Sequence, residues 1–363
     1  MHRRSVVALA AAGLTRAAVA AEPFDVRTTY RNDRVDEAIR AAGEFLLSNA
    51  KSDGSIYDRD HKTAMTALAI MGLASIGMVP DLTDAKGRKV AAALAYVLDP
   101  QRRDVDGYFG NRDGSRMYGH GIVTLMLTEM LGMGVSDEQN KSIHAALVGG
   151  IELILAAQAI PKEPRARGGW RYKPDSRDSD LSISVWQLMA LRSAKNDGLN
   201  VPGSAIESAV GYLKNSYAAD RSGRRGNQSN EAPTGGFCYI PGSRSPTFTM
   251  TAAGLLAMQV CGRYDADEVR GSADFLLAKG PQTNDRFFYY GMYYYAQGMY
   301  QYGGRHAETA RKRTAELLLP LQTNNGSFRA PGGQEAGVGA VYTTALAVLA
   351  LTVRYHYLPI YQR

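Results

Sequence analysis

Six times along this chain a short turn built on glycine or an aromatic side chain separates two apolar stretches with helical spacing. The turns are Asp53-Gly54-Ser55-Ile56-Tyr57, Asp106-Gly107-Tyr108-Phe109, Gly168-Gly169-Trp170-Arg171-Tyr172, Gly235-Gly236-Phe237-Cys238-Tyr239, Asp285-Arg286-Phe287-Phe288 and Asn325-Gly326-Ser327-Phe328. Glycine permits the positive φ of a tight reversal, and the aromatic that follows is the right size to plug the gap between neighbouring hairpins. A repeat of this kind restricts the fold to arrays in which each unit buries its apolar face against the next.

The first helix of each unit covers residues 38–48, 90–98, 143–157, 205–215, 269–278 and 310–319, with apolar positions three and four apart and small residues that let helices approach closely. The second covers 63–76, 119–131, 181–193, 247–261, 289–302 and 341–355 and is apolar almost all round, which requires burial on every side. The second helices therefore form an inner ring and the first an outer ring. The expected fold is all-α, an α/α toroid of about six helical hairpins occupying residues 35–363 as one domain. Residues 337–353 carry no charge, but they coincide with the sixth inner helix and are short for a membrane span.

At the N-terminus Arg3 and Arg4 precede an uncharged run ending at Arg16, and Ala18-Val19-Ala20 offers a small-residue cleavage site. Residues 1–20 read as an export signal and 21–34 as a lead-in segment, so the mature protein is expected in the periplasm or outside the cell. Its loss removes Arg3, Arg4 and Arg16 from a formal charge of +7. The rest is scattered, with no basic stripe interleaved with aromatics, so nucleic acid is not an expected partner, nor is a stable membrane span. Cys238 and Cys261 are the two cysteines; an exported protein permits a bond between them, but a helix running up to Cys261 sets them far apart.

On these turns and inner helices the chain resembles the terpenoid cyclase and protein prenyltransferase toroid superfamily, in particular the squalene–hopene cyclase type repeat. The resemblance covers residues 35 to 358 and implies the toroid fold. In the cyclases an Asp-x-Asp-Asp motif opening an inner helix protonates the polyene, with its middle aspartate as the acid. Asp178-Ser179-Asp180-Leu181 stands at the matching place, with Leu181 where the last aspartate belongs. That departure removes one carboxylate from the network that sets the acid's pKa. The prenyltransferases take zinc from an Asp, a Cys and a His; here Arg286 follows Asp285, and neither cysteine adjoins an acid and a histidine. No metal and no cofactor are expected.

In such a toroid all six inner helices start at one rim, where functional residues gather and the helix N-termini favour an anionic group. Asp180 and Asp178 are candidate acids there, with helix capping as the alternative. His61 and His120, placed just before the first two inner helices, are candidate proton carriers, with solvation or capping as the alternative. Trp170, Tyr172, Trp186, Tyr289, Tyr290 and Tyr293 are candidate cavity-wall residues that would stack on sugar rings or line an apolar slot; core packing is their other reading. Three functions remain open. The toroid binds a small apolar or carbohydrate ligand, or an extended protein segment, in its cavity without cyclase chemistry; it is an enzyme on an acidic polysaccharide or an isoprenoid or other lipid, with Asp178, Asp180, His61 and His120 supplying acid and base at the rim; or it is a scaffold for protein contacts.

Overall fold

The structure, a computed structural model, describes residues 33–219 and 234–355 together with Leu358 and Ile360. The expected export signal lies outside the described residues. Twelve α-helices occur among them: α1 Arg34–Ser48, α2 Lys62–Ala74, α3 Ala85–Leu98, α4 Arg116–Glu129, α5 Asp137–Ala159, α6 Leu181–Asn196, α7 Gly203–Ser216, α8 Phe248–Val260, α9 Asp267–Lys279, α10 Phe288–Tyr302, α11 Gly304–Leu318 and α12 Ala340–Leu351. The even-numbered helices pack one against the next, and α12 returns to pack on α2. This closes an inner ring inside the odd-numbered one, and the fold is an α/α toroid. Every residue of α8 is buried, as the all-round apolar pattern requires. The uncharged stretch at 337–353 supplies α12, whose residues are almost all buried inside the protein.

The hairpins are framed differently from the sequence repeat. Each inner helix packs most closely on the outer helix that follows it, α2 on α3, α4 on α5, α6 on α7, α8 on α9 and α10 on α11. The connections within these pairs are short, the longest being residues 75–84, and short connections force antiparallel neighbours. The glycine-aromatic turns belong to the long connections at the opposite end. The sixth pair is α12 with α1, the last helix with the first. Arg354 donates to Asp33 at 2.9 Å, and the Tyr355 hydroxyl donates to the buried carboxylate of Asp36, fastening the two ends.

Each turn leans on the outer helix of the next unit. Gly168 has φ +88°, and a Cβ there would lie 2.1 Å from the Ser208 carbonyl oxygen on α7; at Gly326, φ +88°, it would lie 2.2 Å from the Ala41 oxygen on α1. Only glycine meets both demands. The second residue after the glycine is the plug: Ile56, Phe109, Trp170, Phe237 and Phe328 are all buried. Each plug donates its backbone N–H to a side chain near the start of the following inner helix, in turn Thr66, His120, Ser184, Thr251 and Thr344. Two expectations are corrected here. In the first unit the plug is Ile56, while Tyr57 is half-buried beneath the ammonium of Lys62. In the fifth, Phe287 of the turn is exposed rather than a plug, and Phe288 is buried as the first residue of α10. In the fourth unit the turn is a small antiparallel ribbon, β1 Tyr217–Ala219 and β2 Gly235–Phe237, pairing Tyr217 with Phe237 and Ala219 with Gly235.

Cys238 lies beside the start of α8 and Cys261 caps its end, so roughly 20 Å of helix separates them; both are free thiols. At the far end of the inner ring Glu129 is buried, with Ser193 Oγ 3.4 Å and the Ile360 N–H 3.3 Å from one carboxyl oxygen. Burial pushes its pKa up to about 8.

Candidate functional site

An α-helix begins with four N–H groups that have no partner within the helix. At the shared mouth of the inner ring these groups are satisfied by the loop of the next unit round. Asp113 accepts from Ala64 at the start of α2, the Tyr172 carbonyl from Met117 of α4 and the Tyr239 carbonyl from Leu181 of α6. Glu335 accepts from Tyr289 and Tyr290 of α10, and Asp58 from Ala340 and Val341 of α12. The mouth is thus laced unit to unit, and Asp58, Asp113 and Glu335 serve as helix caps. The α8 helix uses its own Thr247 instead.

Asp180 is a cap as well. One carboxylate oxygen accepts from the Ile183 N–H at 3.0 Å and the Ser182 hydroxyl at 2.6 Å, and the other lies 3.4 Å from Arg171 Nε. The residue is fully buried, and burial raises its pKa against the lowering pull of Ser182, Ile183 and Arg171. Glu335, 1% exposed, is raised for the same reason. Asp178 is exposed and 3.5 Å from Arg171 Nε. Leu181 takes no part in this polar cluster; it is buried as the first residue of α6.

The two candidate histidines are not equivalent. His61 stands at the start of α2 with φ 58°, half-buried, its Nδ1 2.9 Å from the Asp113 carbonyl. His120 lies inside α4, a turn past the rim position expected for it, and is fully buried. Its Nδ1 accepts from the Phe109 N–H at 3.3 Å, so its Nε2 carries the proton donated to the Gly150 carbonyl at 3.1 Å. Burial pushes its pKa down to about 4. In the second unit His120 holds the place that Thr66, Ser184, Thr251 and Thr344 hold in others.

The ring's middle is filled. Trp186 on α6 stacks on Tyr293 of α10 with centroids 5.8 Å apart and planes at 12°, and meets Tyr294 edge-on at 5.8 Å. Since α8 stands between α6 and α10 in the ring, these side chains meet across its interior. Above them Tyr290 donates to the Ser182 carbonyl at 3.0 Å and packs on Tyr294 at 4.8 Å. Two of the expected cavity-wall residues face elsewhere. Trp170 donates its indole N–H outward to Ile154 of α5 at 2.8 Å, and the Tyr289 hydroxyl reaches the Arg329 carbonyl at 2.7 Å.

What stands at the mouth is a shallow bowl of tyrosines. Tyr118, Tyr290 and Tyr342 are the third residues of α4, α10 and α12. Tyr118 lies 2.5 Å from Ser182 Oγ, and Tyr342 donates to Glu335 at 3.1 Å. Tyr172 and Tyr239 share a hydroxyl contact of 2.7 Å with the Arg171 guanidinium over both rings, 4.9 and 5.7 Å from their centroids. Tyr118, Tyr172, Tyr239 and Tyr342 are half-buried. Burial pushes the pKa of Tyr118, Tyr239, Tyr290 and Tyr342 well up, so these rings are neutral phenols near pH 7. Of the expected aromatic residues, Tyr172 and Tyr290 belong to this bowl; Tyr118, Tyr239, Tyr342, Ser182, Arg171 and Glu335 are additions. A tyrosine at the third position of three inner helices is the signal that an alignment of the repeats would have shown. A separate cleft of about 460 Å³ opens on the outer face between the end of α5 and the start of α7, beside Gln158, Lys162 and Arg167.

No family model matches the sequence, and no curated protein does. Solved structures do match in shape. One is the type II terpene cyclase MstE from Scytonema, 15% identical with a TM-score of 0.52, covering 88% of this chain and 97% of that one. What the two share is the α/α-toroid fold. A second toroid of this shape is cellobiose 2-epimerase from Bacillus thermoamylovorans B4167, 12% identical, TM-score 0.57, covering 88% of this chain and 98% of that one. A third is a point mutant of Rex8A from Paenibacillus barcinonensis complexed with 3(3)-alpha-L-arabinofuranosyl-xylotetraose, 13% identical, TM-score 0.51, covering 93% and 95%. At such identities the likeness is one of fold.

Proposed function

We propose that this toroid is an exported binding protein that holds the sugar rings of a carbohydrate in the tyrosine bowl at its mouth, without cyclase chemistry. The observation that carries this reading is the half-buried cluster of Tyr118, Tyr172, Tyr239 and Tyr342, with paired hydroxyls, standing over an interior closed by Trp186, Tyr293 and Tyr294. A polyene cyclase needs an enclosed apolar chamber beneath its acid, whereas here the chamber is occupied by side chains. Asp180, the acid of the motif, holds the first turn of α6 and Ser182. Tyrosine faces and hydroxyls suit a ligand that is both ring-shaped and rich in hydroxyls. Two of the similarly folded proteins carry names of sugar chemistry, an epimerase of cellobiose and a complex with a substituted xylotetraose; they agree with the reading without carrying it.

The test is titration calorimetry of the purified chain against a panel of soluble oligosaccharides. Binding that falls at least about tenfold, or about 1.4 kcal/mol, in Tyr172→Ala with an unchanged melting temperature supports the reading. Turnover of squalene or another polyene that is abolished by Asp180→Asn overturns it.

A further inference from the structure

The charged residues at the mouth are sorted by sign. Asp58, Asp113 and Glu335 turn to the helix amides of the preceding unit, and Asp180 to those of its own α6. Six basic residues at the mouth are left outside. Arg59, Arg116, Lys173, Arg177, Arg244 and Arg286 are all exposed, and none has a carboxylate partner among the described residues. Each lies in a loop leading into α2, α6, α8 or α10, or in the case of Arg116 opens α4. The exposed acids of these loops that cap no helix are Asp53, Asp60, Asp106, Glu163, Asp175 and Asp178, and Arg171 already holds Asp178.

Lacing the mouth with acids thus has a second effect. The capping carboxylates are engaged by helix amides, whereas the guanidinium and ammonium groups of the mouth loops remain free to meet a ligand. Cations around a concave site raise the local concentration of anions, and the partial positive charge of the inner-helix N-termini adds to their field. A neutral sugar gains nothing from that arrangement. Nucleic acid is the less suitable polyanion, because the bowl's rings are tilted against one another, Tyr118 and Tyr172 at 50°, and do not form a flat platform for bases.

We infer that the carbohydrate taken at the mouth is an anionic polysaccharide, whose carboxylate or sulfate groups meet the ring of unpaired arginines while its sugar rings rest on the tyrosines. This rests on the mouth being the carbohydrate site. The experiment compares polygalacturonate oligomers, neutral glucan oligomers of equal length and a single-stranded oligonucleotide, each titrated into the full chain at low and high salt. The expected result is binding of polygalacturonate alone, weakening roughly tenfold between about 50 and about 500 mM NaCl as the charges are screened. Arg177→Glu with Arg286→Glu should lower that affinity at least about tenfold, some 1.4 kcal/mol, whereas Arg311→Glu with Lys312→Glu on the outer helix α11 should leave it unchanged. All four side chains lie on the surface, so melting temperatures should agree. Equal binding of neutral glucan, with no salt dependence, overturns the anionic ligand and leaves the carbohydrate site standing. Equal binding of the oligonucleotide, or equal loss from the α11 control, overturns it in favour of general basicity. Failure of both glycans to bind overturns the site as well.

Discussion

Replacing His120 by asparagine separates a buried structural histidine from a catalytic one. In the native protein its Nδ1 accepts from Phe109 and its Nε2 donates to Gly150, so a second proton would set an N–H against the Phe109 N–H. Burial pushes the pKa from 6.5 down to about 4, against the raising pull of the Gly150 carbonyl. Because the folded-state value is the lower one, the stability concerned is fully present above pH 6.5. It is lost as pH falls toward 4, where the unfolded chain takes up a proton that the native ring refuses. At about 1.4 kcal/mol for each pH unit between these two values, the loss across that window is roughly 3 kcal/mol. Asparagine can keep an acceptor near Phe109 but forfeits the bond to Gly150, a fixed cost of about 1–2 kcal/mol that does not depend on pH. Urea unfolding at neutral pH and near pH 4 should therefore show the difference between wild type and His120→Asn shrinking, and then reversing, as the solution is acidified. An imidazole that titrates near 6.5 by NMR, or a difference that stays constant with pH, would refute the reasoning.

Two further changes probe the frame. Gly168→Ala combines a φ of +88° with a Cβ 2.1 Å from the Ser208 carbonyl oxygen, and should cost at least ~2 kcal/mol in urea denaturation; a change within about 0.5 kcal/mol would show that the turn does not press on α7. Glu129 has its folded pKa raised from 4.5 to about 8, so its contribution is most favourable below pH 4.5 and is lost as pH rises toward 8. Glu129→Gln should therefore be more stable than wild type at pH 7 by roughly 3 kcal/mol, and a lower melting temperature in that variant would contradict the assignment.

The turns and both sets of helices are legible in the sequence because they rest on local chemistry, glycine at a reversal and apolar residues at helical spacing. The framing of the hairpins is not, since α12 pairs with α1 across the whole length of the chain. Nor is the lacing of the mouth. Asp58 caps a helix whose first residue lies 282 positions away, and the same carboxylate reads equally well from sequence as a rim acid. All-round burial of the inner helices is plain, but periodicity does not say whether the inward face meets a ligand or a partner across the ring. Trp186 and Tyr293 meet each other. The rim position expected for His120 fails for a related reason. Its counterparts Thr66, Ser184, Thr251 and Thr344 share its backbone hydrogen bond but not its side-chain type, so the equivalence shows only in three dimensions. The sequence leaves both roles of Asp180 open, and the geometry places its carboxylate at the first turn of α6.

The most direct test of the account is calorimetric titration of an acidic oligosaccharide into wild-type protein, Tyr172→Ala and Asp180→Asn, with chromatographic assay of the same mixtures for product. The account predicts binding by wild type, its loss in Tyr172→Ala, persistence in Asp180→Asn, and recovery of the oligosaccharide unaltered. Conversion of the oligosaccharide by wild type but not by Asp180→Asn would contradict it.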